Sequence, residues 1–256
     1  MAFRKVLLRL PRVVEDNGRR IVLNNLERYY VTENKDFHYN GGVAKKEQLE
    51  KGGFFTSEKD SIVVFDATFS DEFSNLKRKA QVITHKDIGP IITYTGINKE
   101  SIILDAGTGS GHLCGFLGKI AKRVDSFDIE EAHLEMARKN IKILALDNVT
   151  ISTKNIYDST NFEENTYDVF TLDVPEPWNA LATASKTLKV GGFLVIYAPN
   201  INQIHQTIIS LTDDLLHEQT IEVIEREWSV KEKVLRPVTK DFGHTAFLSF
   251  VRKIKN

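Results

Sequence analysis

The sequence predicts an α/β protein, with a mostly parallel β-sheet covered by helices on both faces and a small β domain before it. From about Val82 onward, apolar strand-like runs alternate with helical patterns, and the first of these runs ends in the glycine-rich turn "LDAGTGSG". Before that point, residues 3–69 hold short β-prone runs separated by turn-rich stretches such as "HYNGG". We therefore expect a small β domain over residues 1–72 and a larger α/β domain over residues 73–256.

The composition excludes several classes of protein. Among 256 residues, 34 Lys and Arg face 35 Asp and Glu, so the net charge of −1 gives no global argument for a nucleic-acid, membrane or acidic partner. The single cysteine, Cys114, excludes an intrachain disulfide and a multi-cysteine metal site. No secretory signal pattern and no apolar run of about 20 residues is present. We expect a cytoplasmic protein without a bound metal and without a membrane contact.

The alternation of the second domain is regular enough to assign each element. The predicted strands are "SIILDAG", "VDSFDI", "VTIST", "YDVFTLD" and "GGFLVIYA". Four helices are predicted between and after these strands. The first has Leu113, Phe116, Leu117 and Ile120 on one face, and the second runs from Glu131 to about Leu144. The third begins near Asn179, and the fourth follows Asn200. Two further runs, "TIEVIEREWSV" and "TAFLSFVRK", are predicted to close one edge as an antiparallel pair. The polar segment "SDEFSNLKRKAQ" is predicted to be the linker between the domains.

The glycine-rich turn predicts a ligand site. Gly107, Gly109 and Gly111 let the backbone approach a ligand closely, and in open parallel sheets ligands bind beyond the carboxyl ends of the strands. The dinucleotide fingerprint requires a glycine where this chain has His112, and no Gly-Lys-Ser/Thr follows for a P-loop. An acid two residues before such a turn suits S-adenosylmethionine, whose ammonium group Asp105 can orient. A purely structural turn is the alternative.

Polar residues at the ends of the next two strands extend this site. Asp128 follows the glycines by some twenty residues, where a carboxylate can accept hydrogen bonds from both hydroxyls of a ribose. Its alternative role is to stabilise a helix N-terminus. His133 is predicted to lie over the same pocket, or else to be an ordinary surface histidine. Asn155 is positioned to bond an adenine edge with its amide, or else to form a turn.

The run "LDVPEPW" ends a buried strand on a charge. Two prolines hold the following residues in an extended path, so the loop can be a rigid mount for Asp173. If the substrate is a ring nitrogen beside an exocyclic amine, methylation builds positive charge that this carboxylate would stabilise. Val174 and Glu176 interrupt the Asp/Asn-Pro-Pro-aromatic motif of amino-group methylation. Trp178 can stack on a base or pack within the protein.

With these residues assembled, the chain resembles the tRNA adenine-58 N1-methyltransferases of archaea and bacteria. The resemblance covers nearly the whole length, and the segments that carry it are, in order, "AQVITHKD", "LDAGTGSG", "LDVPEPW", "APNINQ", "EREWSV" and "GHTAF". It implies a class I, Rossmann-like methyltransferase fold with S-adenosylmethionine as donor and S-adenosylhomocysteine as product. It also implies a homotetramer that methylates A58 of tRNA, with no DNA partner, and leaves open whether adenosine 57 is also modified.

The resemblance assigns residues as well. Asp173 matches the catalytic aspartate, and Gln81 and Ile83 match a segment over the methionine end of the cofactor. The cofactor-binding set comprises Gln81, Ile83, Asp105, Gly107, Thr108, Gly109, Ser110, Gly111, His112, Leu113, Asp128, Ile129, His133, Asn155, Ile156 and Asp173. Trp178 and His244 are the candidate substrate contacts. The chain departs from the family where Asn155 replaces a common Asp, and where Thr84 and His85 replace a Tyr-Pro or His-Pro pair.

Two other functions stay open at this point. Methylation of a protein carboxyl or a small molecule uses the same fold, because fold does not determine function. A non-catalytic RNA-binding subunit is the other alternative, although it would have no need of an intact glycine turn and Asp173. Local basic groups such as Lys45-Lys46 and Lys77 to Lys79 are candidate phosphate contacts, or ordinary solvated surface.

Overall fold

The structure is a computed structural model that describes residues 3–17, 19–78, 82–231, 234–239 and 243–256, apart from the side chain of residue 231. Its contacts divide the chain into two compact units, Met1–Leu76 and Lys77–Asn256. The division predicted after residue 72 falls inside a helix, Phe69–Ser74, whose N-cap Thr68 accepts a hydrogen bond from the Asp71 backbone. The first half of the predicted linker is therefore helical.

The first unit is a β structure with two short helices. Its elements are β1 (Lys5–Arg9), β2 (Arg12–Asp16), β3 (Arg19–Asn24), β4 (Glu27–Val31), β5 (Phe37–Tyr39), β6 (Gly42–Ala44), α1 (Lys46–Lys51), β7 (Gly53–Thr56), β8 (Ser61–Asp66) and α2 (Phe69–Ser74). Strands β4, β1, β8 and β7 form an antiparallel sheet in that order, and β2–β3 and β5–β6 are separate hairpins. Leu7, Leu49 and Val64 lie in its core. The predicted small N-terminal β domain is confirmed.

The second unit contains seven sheet strands, a hairpin and five α-helices in the described residues. Its elements are α3 (His85–Thr95), β9 (Ile102–Ala106), α4 (His112–Gly118), β10 (Arg123–Asp128), α5 (Glu131–Leu144), β11 (Val149–Thr153), β12 (Tyr167–Leu172), α6 (Leu181–Thr187), β13 (Leu188–Ala198), α7 (Ile201–Ile209), β14 (Leu215–Glu222), β15 (Trp228–Lys231), β16 (Val234–Pro237) and β17 (Phe247–Lys253). The predicted helix from Glu131 to Leu144 is confirmed.

The main sheet has the order β11-β10-β9-β12-β13-β17-β14. The first five strands of that order are parallel, and β17 and β14 run antiparallel to them. Neighbouring residues Ile103 and Leu104 of β9 are both fully buried, although their side chains point to opposite faces of the sheet. Both faces are therefore covered, which is why these strands are continuous apolar runs rather than alternating ones. The predicted α/β class is confirmed.

The C-terminal prediction is correct in part. The two tail segments do pair antiparallel, since Glu222 of β14 lies opposite Phe247 of β17. However, β17 lies inside the sheet and only β14 is at the edge. Residues 228–230, predicted as part of the same strand, instead belong to β15, which forms a separate hairpin with β16. None of the helices in the described part of the chain combines the length and apolarity that a membrane span requires.

The central strands contribute most of the second unit's buried core, so their leucines should dominate its stability. Leu194 of β13 is fully buried, whereas Leu216 of the edge strand β14 is 50% exposed. We expect Leu194→Ala to lower the free energy of unfolding by about 2–5 kcal/mol, because it leaves a cavity. Leu216→Ala, the matched control, should cost less than about 1 kcal/mol. Urea denaturation of the full chain measures both, and equal costs would contradict this account of the core.

Candidate active site at the carboxyl ends of the parallel strands

The glycine turn lies where β9, β10 and β12 end. The Gly107 amide donates to the Phe127 carbonyl of β10 over 3.0 Å, and the Asp173 amide donates to the Ala106 carbonyl of β9 over 2.9 Å. Gly107 has φ +88°, and a Cβ placed on it would lie 1.9 Å from the carbonyl oxygen of Asp173. Only glycine allows this approach. The turn is therefore in backbone contact with the residue that follows β12.

Asp105 lies beneath this turn rather than in it. Its carboxylate is 2% exposed and accepts hydrogen bonds from Ser126 Oγ over 2.5 Å and Thr171 Oγ1 over 2.7 Å. Burial raises its pKa, and the two hydroxyl hydrogen bonds partly oppose that rise. The described lining of neither cavity at this site includes Asp105. The sequence predicts that Asp105 orients the ammonium group of a ligand. In the structure its carboxylate instead hydrogen-bonds side chains of the two neighbouring strands, β10 and β12.

Asp128 fastens the turn to the end of β10. Its Oδ2 accepts the Gly109 amide over 3.0 Å, and its Oδ1 accepts the Glu130 amide over 2.9 Å. His133 Nδ1 lies 3.4 Å from the same Oδ2. The Asp128 side chain is 10% exposed, and it also lines the larger cavity. Asp128 can therefore both stabilise the start of the helix and bind a ligand, because a carboxylate offers about four acceptor positions.

Two cavities open at this end of the sheet. The smaller, of about 70 Å³, is lined by Val82, Ile83, Gly107, Thr108, Gly109, Ser110, His112, Leu113, His133, Met136 and Asp173. The larger, of about 390 Å³, is lined by Gly107, Gly109, Phe127, Asp128, Ile129, Glu130, His133, Lys154, Asn155, Ile156, Tyr157, Asp173, Val174 and Pro175. Gly107, Gly109, His133 and Asp173 border both. An elongated ligand that crosses the glycine turn would occupy the two together.

Asp173 is a carboxyl group at the junction of the cavities. The residue is exposed to solvent, and it lines both cavities. The burial of this carboxyl, together with the negative charges of Asp105 and Asp128, raises its pKa to about 7. Among the described residues, no side-chain or backbone donor bonds its carboxylate. Asp173 is therefore an acceptor held available for a ligand.

His112 borders the smaller cavity as an uncharged group at neutral pH. Burial, and secondarily the positive charge of Arg78, lower its pKa to about 4. Its Nδ1 lies 2.9 Å from Ser110 Oγ, so the two side chains are held together at the start of α4. The smaller cavity is thus bordered by a neutral imidazole on one side and by the Asp173 carboxyl on the other.

Most of the predicted cofactor-binding residues converge here, but not all. Asp105 and Gly111 do not line either cavity, and Gly111 instead packs against α5, where a Cβ would lie 3.0 Å from that of Ala137. Gln81 falls outside the described residues. Asn155 lines the larger cavity, and its Oδ1 also accepts the Tyr157 amide over 3.0 Å, which is the predicted alternative of a turn.

The two candidate substrate contacts lie apart from the cavities. Trp178 is half-buried in a 3₁₀ turn, Pro177–Ala180, and does not belong to the described lining of either cavity. His244 is held by two acceptors, Glu222 Oε1 at 2.5 Å and the Pro199 carbonyl at 2.8 Å. These acceptors, the carbonyl first, raise its pKa. His244 joins the ends of β13 and β14, and neither cavity's described lining includes it.

Several lining residues were missed by the sequence analysis. Val82, Met136, Lys154, Tyr157 and Pro175 all border a cavity. Tyr157 and Pro175 carried a usable signal, because they lie four and two residues beyond the ends of predicted parallel strands. Met136 carried none, since an apolar residue on a helix normally indicates core packing.

Comparison with known proteins gives one consistent family. The family described as "tRNA methyltransferase complex GCD14 subunit" matches residues 72–239. The tRNA (adenine(57)-N(1)/adenine(58)-N(1))-methyltransferase TrmI of Methanocaldococcus jannaschii is 31% identical over 94% of this chain and 93% of its own length.

Two solved structures resemble the chain over almost its full length. The tRNA (m1A58) methyltransferase TrmI from Aquifex aeolicus has a TM-score of 0.76 at 25% identity, covering 98% of this chain and 97% of its own. A SAM-dependent O-methyltransferase from Thermotoga maritima has a TM-score of 0.82 at 24% identity, covering 100% of this chain and 94% of its own. The second likeness concerns the fold alone.

The raised pKa of Asp173 has a consequence for stability. A carboxyl whose pKa is about 7 in the folded protein and about 3.9 in the unfolded chain makes the fold lose stability as pH rises between those values. Asp173→Asn should therefore stabilise the ligand-free protein at pH 8 by about 1–2 kcal/mol, a figure reduced for the solvent that reaches the cavity mouth. The gain should vanish near pH 4.

Thermal unfolding at pH 4 to 8 measures this effect, which corresponds to a rise in Tm of about 2–8 °C at pH 8. Glu176→Gln removes an exposed carboxylate from the same loop and is the matched control, expected to follow the wild type at every pH. A Tm of Asp173→Asn at or below that of the wild type at pH 8 would show that burial does not disfavour the charged form.

Proposed function

The chain belongs to the tRNA methyltransferase family described as the GCD14 subunit, and we propose that it is a tRNA (adenine-58-N1)-methyltransferase. It transfers the methyl group of S-adenosylmethionine to N1 of adenosine 58 in the T-loop of tRNA and releases S-adenosylhomocysteine. The observation that carries the proposal is Asp173, whose acceptor atoms open at the junction of two cavities against a turn that only glycine can form. That is the position from which a carboxylate can act on a base beside the transferred methyl group.

The two cavities suit the two halves of the donor. Ile129 and Ile156 supply apolar walls for an adenine, and Asp128 supplies acceptors for ribose hydroxyls. The methionine end then lies across Gly107 and Gly109 toward Ile83 and the uncharged His112. When bound, S-adenosylmethionine supplies an electrophilic methyl group and a positive sulfonium charge. Three carboxylates in and beneath this site, Asp105, Asp128 and Asp173, favour a cation there.

Asp173 is the catalytic residue in this proposal. Its carboxylate accepts a hydrogen bond from the exocyclic N6 amine and so orients N1 toward the methyl group. As the N1 lone pair forms the new bond, positive charge develops on the ring, and the nearby carboxylate stabilises it. A cation beside Asp173 lowers its pKa below the value of about 7 in the ligand-free protein. The ionised form therefore prevails when the reaction occurs.

The target adenosine lies inside the folded tRNA, so it must be extruded before its Watson–Crick edge can meet Asp173. Arg78 is exposed, and its charge acts on His112 at the smaller cavity. A positive charge at that position is suited to a phosphate of the backbone that flanks the extruded base. Lys79, the third member of the same basic group, falls outside the described residues.

A homotetramer is the assembly that we propose. Its support is the β15–β16 hairpin, where Val230 lies opposite Leu235 and their side chains are 72% and 74% exposed. Trp228, on the same face, is 54% exposed. A lone two-stranded hairpin is at best marginally stable in water, and an exposed apolar face marks an interaction site. Packing against another copy would cover this face.

We expect the wild-type protein to have four times the mass of the chain in multi-angle light scattering. Val230→Asp with Leu235→Asp should produce smaller species, because the charges cannot be buried in an apolar contact. Val190→Asp changes an equally apolar side chain, 51% exposed at the start of β13, and should leave the mass unchanged. A monomeric wild type would rule out the proposed assembly.

The enzymatic proposal is tested with methyl-labelled S-adenosylmethionine and an unmodified tRNA transcript. We expect label at A58, mapped by nuclease digestion and mass spectrometry, and none in a transcript with guanosine at position 58. A second label at position 57 would extend the specificity to both adenosines. Asp173→Asn should lower kcat by about 10²–10³, because it removes the charge that stabilises the transition state. Its Kd for S-adenosylhomocysteine should change by less than about threefold.

Glu176→Gln is the matched control here as well. It neutralises a carboxylate in the same loop, and Glu176 does not belong to the described lining of either cavity. It should keep wild-type turnover. Label on protein carboxyls or on a small molecule, with none on tRNA, would contradict the proposed tRNA methylation. It would instead support a methyltransferase of the same fold that acts on those substrates. Wild-type turnover by Asp173→Asn would remove Asp173 from the mechanism.

A further inference from the structure

The loop that carries Asp173 has few hydrogen bonds of its own. It runs from Asp173 to Glu176, and both Pro175 within it and Pro177 directly after it lack a backbone donor. Its first residue is fixed by the Asp173 amide, which bonds the Ala106 carbonyl. Beyond that point the loop leaves the sheet, so other elements must determine the path of its backbone.

Two side chains from elements distant in the sequence bond the backbone of the outer part of the loop. Gln203 Nε2, on α7, donates to the Pro175 carbonyl over 2.8 Å. The Glu176 amide donates to Tyr157 Oη, beyond β11, over 3.3 Å. Tyr157 and Pro175 also line the larger cavity, whereas Gln203 does not belong to the described lining of either cavity. Gln203 therefore contacts the loop without bordering the ligand site.

The first turn of α7, which carries Gln203, is held in place by hydrogen bonds of its own. Asn200 caps α7 by accepting the Asn202 amide at its Oδ1 over 2.9 Å, and Gln203 lies in the first turn of that helix. The preceding carbonyl, that of Pro199, accepts His244 Nε2 over 2.8 Å. Hydrogen bonds thus connect the ends of the antiparallel strands, through His244 and the start of α7, to the backbone two residues from Asp173.

We propose that Gln203 is a positioning residue for methyl transfer, which holds the Pro175 carbonyl so that the Asp173 carboxylate faces the acceptor base. The proposal rests on the proposed function. Near-attack geometry is sensitive to shifts of about 1 Å, so a residue that fixes the loop affects the chemical step. Gln203 lines no part of the donor site, so its loss should leave donor binding unchanged.

Gln203→Met preserves the length of the side chain and removes the donor. We expect it to lower kcat for tRNA methylation about fivefold to tenfold, with KM for S-adenosylmethionine and Kd for S-adenosylhomocysteine within twofold of the wild type. Gln203→Lys keeps a donor of similar reach and should restore most of the lost kcat. Gln206→Met is the matched control, because Gln206 lies on the same helix and its amide donates to Ser210 Oγ at the C-cap of that helix.

The outcomes separate this inference from the function that it rests on. A wild type and Gln206→Met that both fail to methylate tRNA would contradict the proposed function. Active wild type with equal kcat values for Gln203→Met and Gln206→Met would overturn the role of Gln203. So would a fall in kcat that Gln203→Lys does not restore, or one matched by an equal loss of donor affinity, because either indicates general damage rather than loss of a positioning contact.

Discussion

The hydrogen bonds of Asp105 are the constraint on which the rest of the site depends. One buried carboxylate receives Ser126 from β10 and Thr171 from β12, the two neighbours of β9 in the sheet. Because the Ser126 hydroxyl donates to Asp105, it accepts from Thr108, whose Oγ1 lies 2.7 Å away in the glycine turn. A single carboxylate therefore fixes the ends of three strands and the turn that follows them.

From that arrangement the electrostatics of the site follow. Asp105 below the turn, Asp128 at its side and Asp173 beyond it bring three carboxyl groups to the same end of the sheet. Burial, and secondarily the negative charges of Asp105 and Asp128, raise the pKa of Asp173, which destabilises the ligand-free fold at alkaline pH. A bound cation relieves this repulsion. The feature that weakens the empty protein is thus the one that favours a positively charged donor and a transition state with growing positive charge.

The departures from the family pattern also have a local structural account. Thr84, which stands where the family has an aromatic or imidazole side chain, is the residue before α3, and its Oγ1 donates to the Asp87 carboxylate over 3.0 Å. Asp87 is fully buried with Lys86 and Thr245, which join the start of α3 to the end of the sheet near His244. Asn155 forms the turn after β11 with its oxygen and also lines the larger cavity.

The sequence by itself determined the fold class, the glycine turn and the three acidic strand ends, because these depend on local periodicity and on conformations that few residues adopt. It did not determine where each side chain points. Asp105 precedes the last residue of β9, Asp128 is the last of β10, and Asp173 follows the last of β12. These one-residue differences, combined with the register of neighbouring strands, bury the first and open the third to the cavities.

The same limit applies to the contacts made by distant segments. The sequence placed His244 near a pocket and offered base stacking for Trp178, yet gave no sign that Gln203 meets Pro175. Contacts between residues that are 28 positions or more apart depend on the order of the strands and on where α7 begins. Only the tertiary structure decides those, because no local pattern records which side chain will lie beside a given carbonyl.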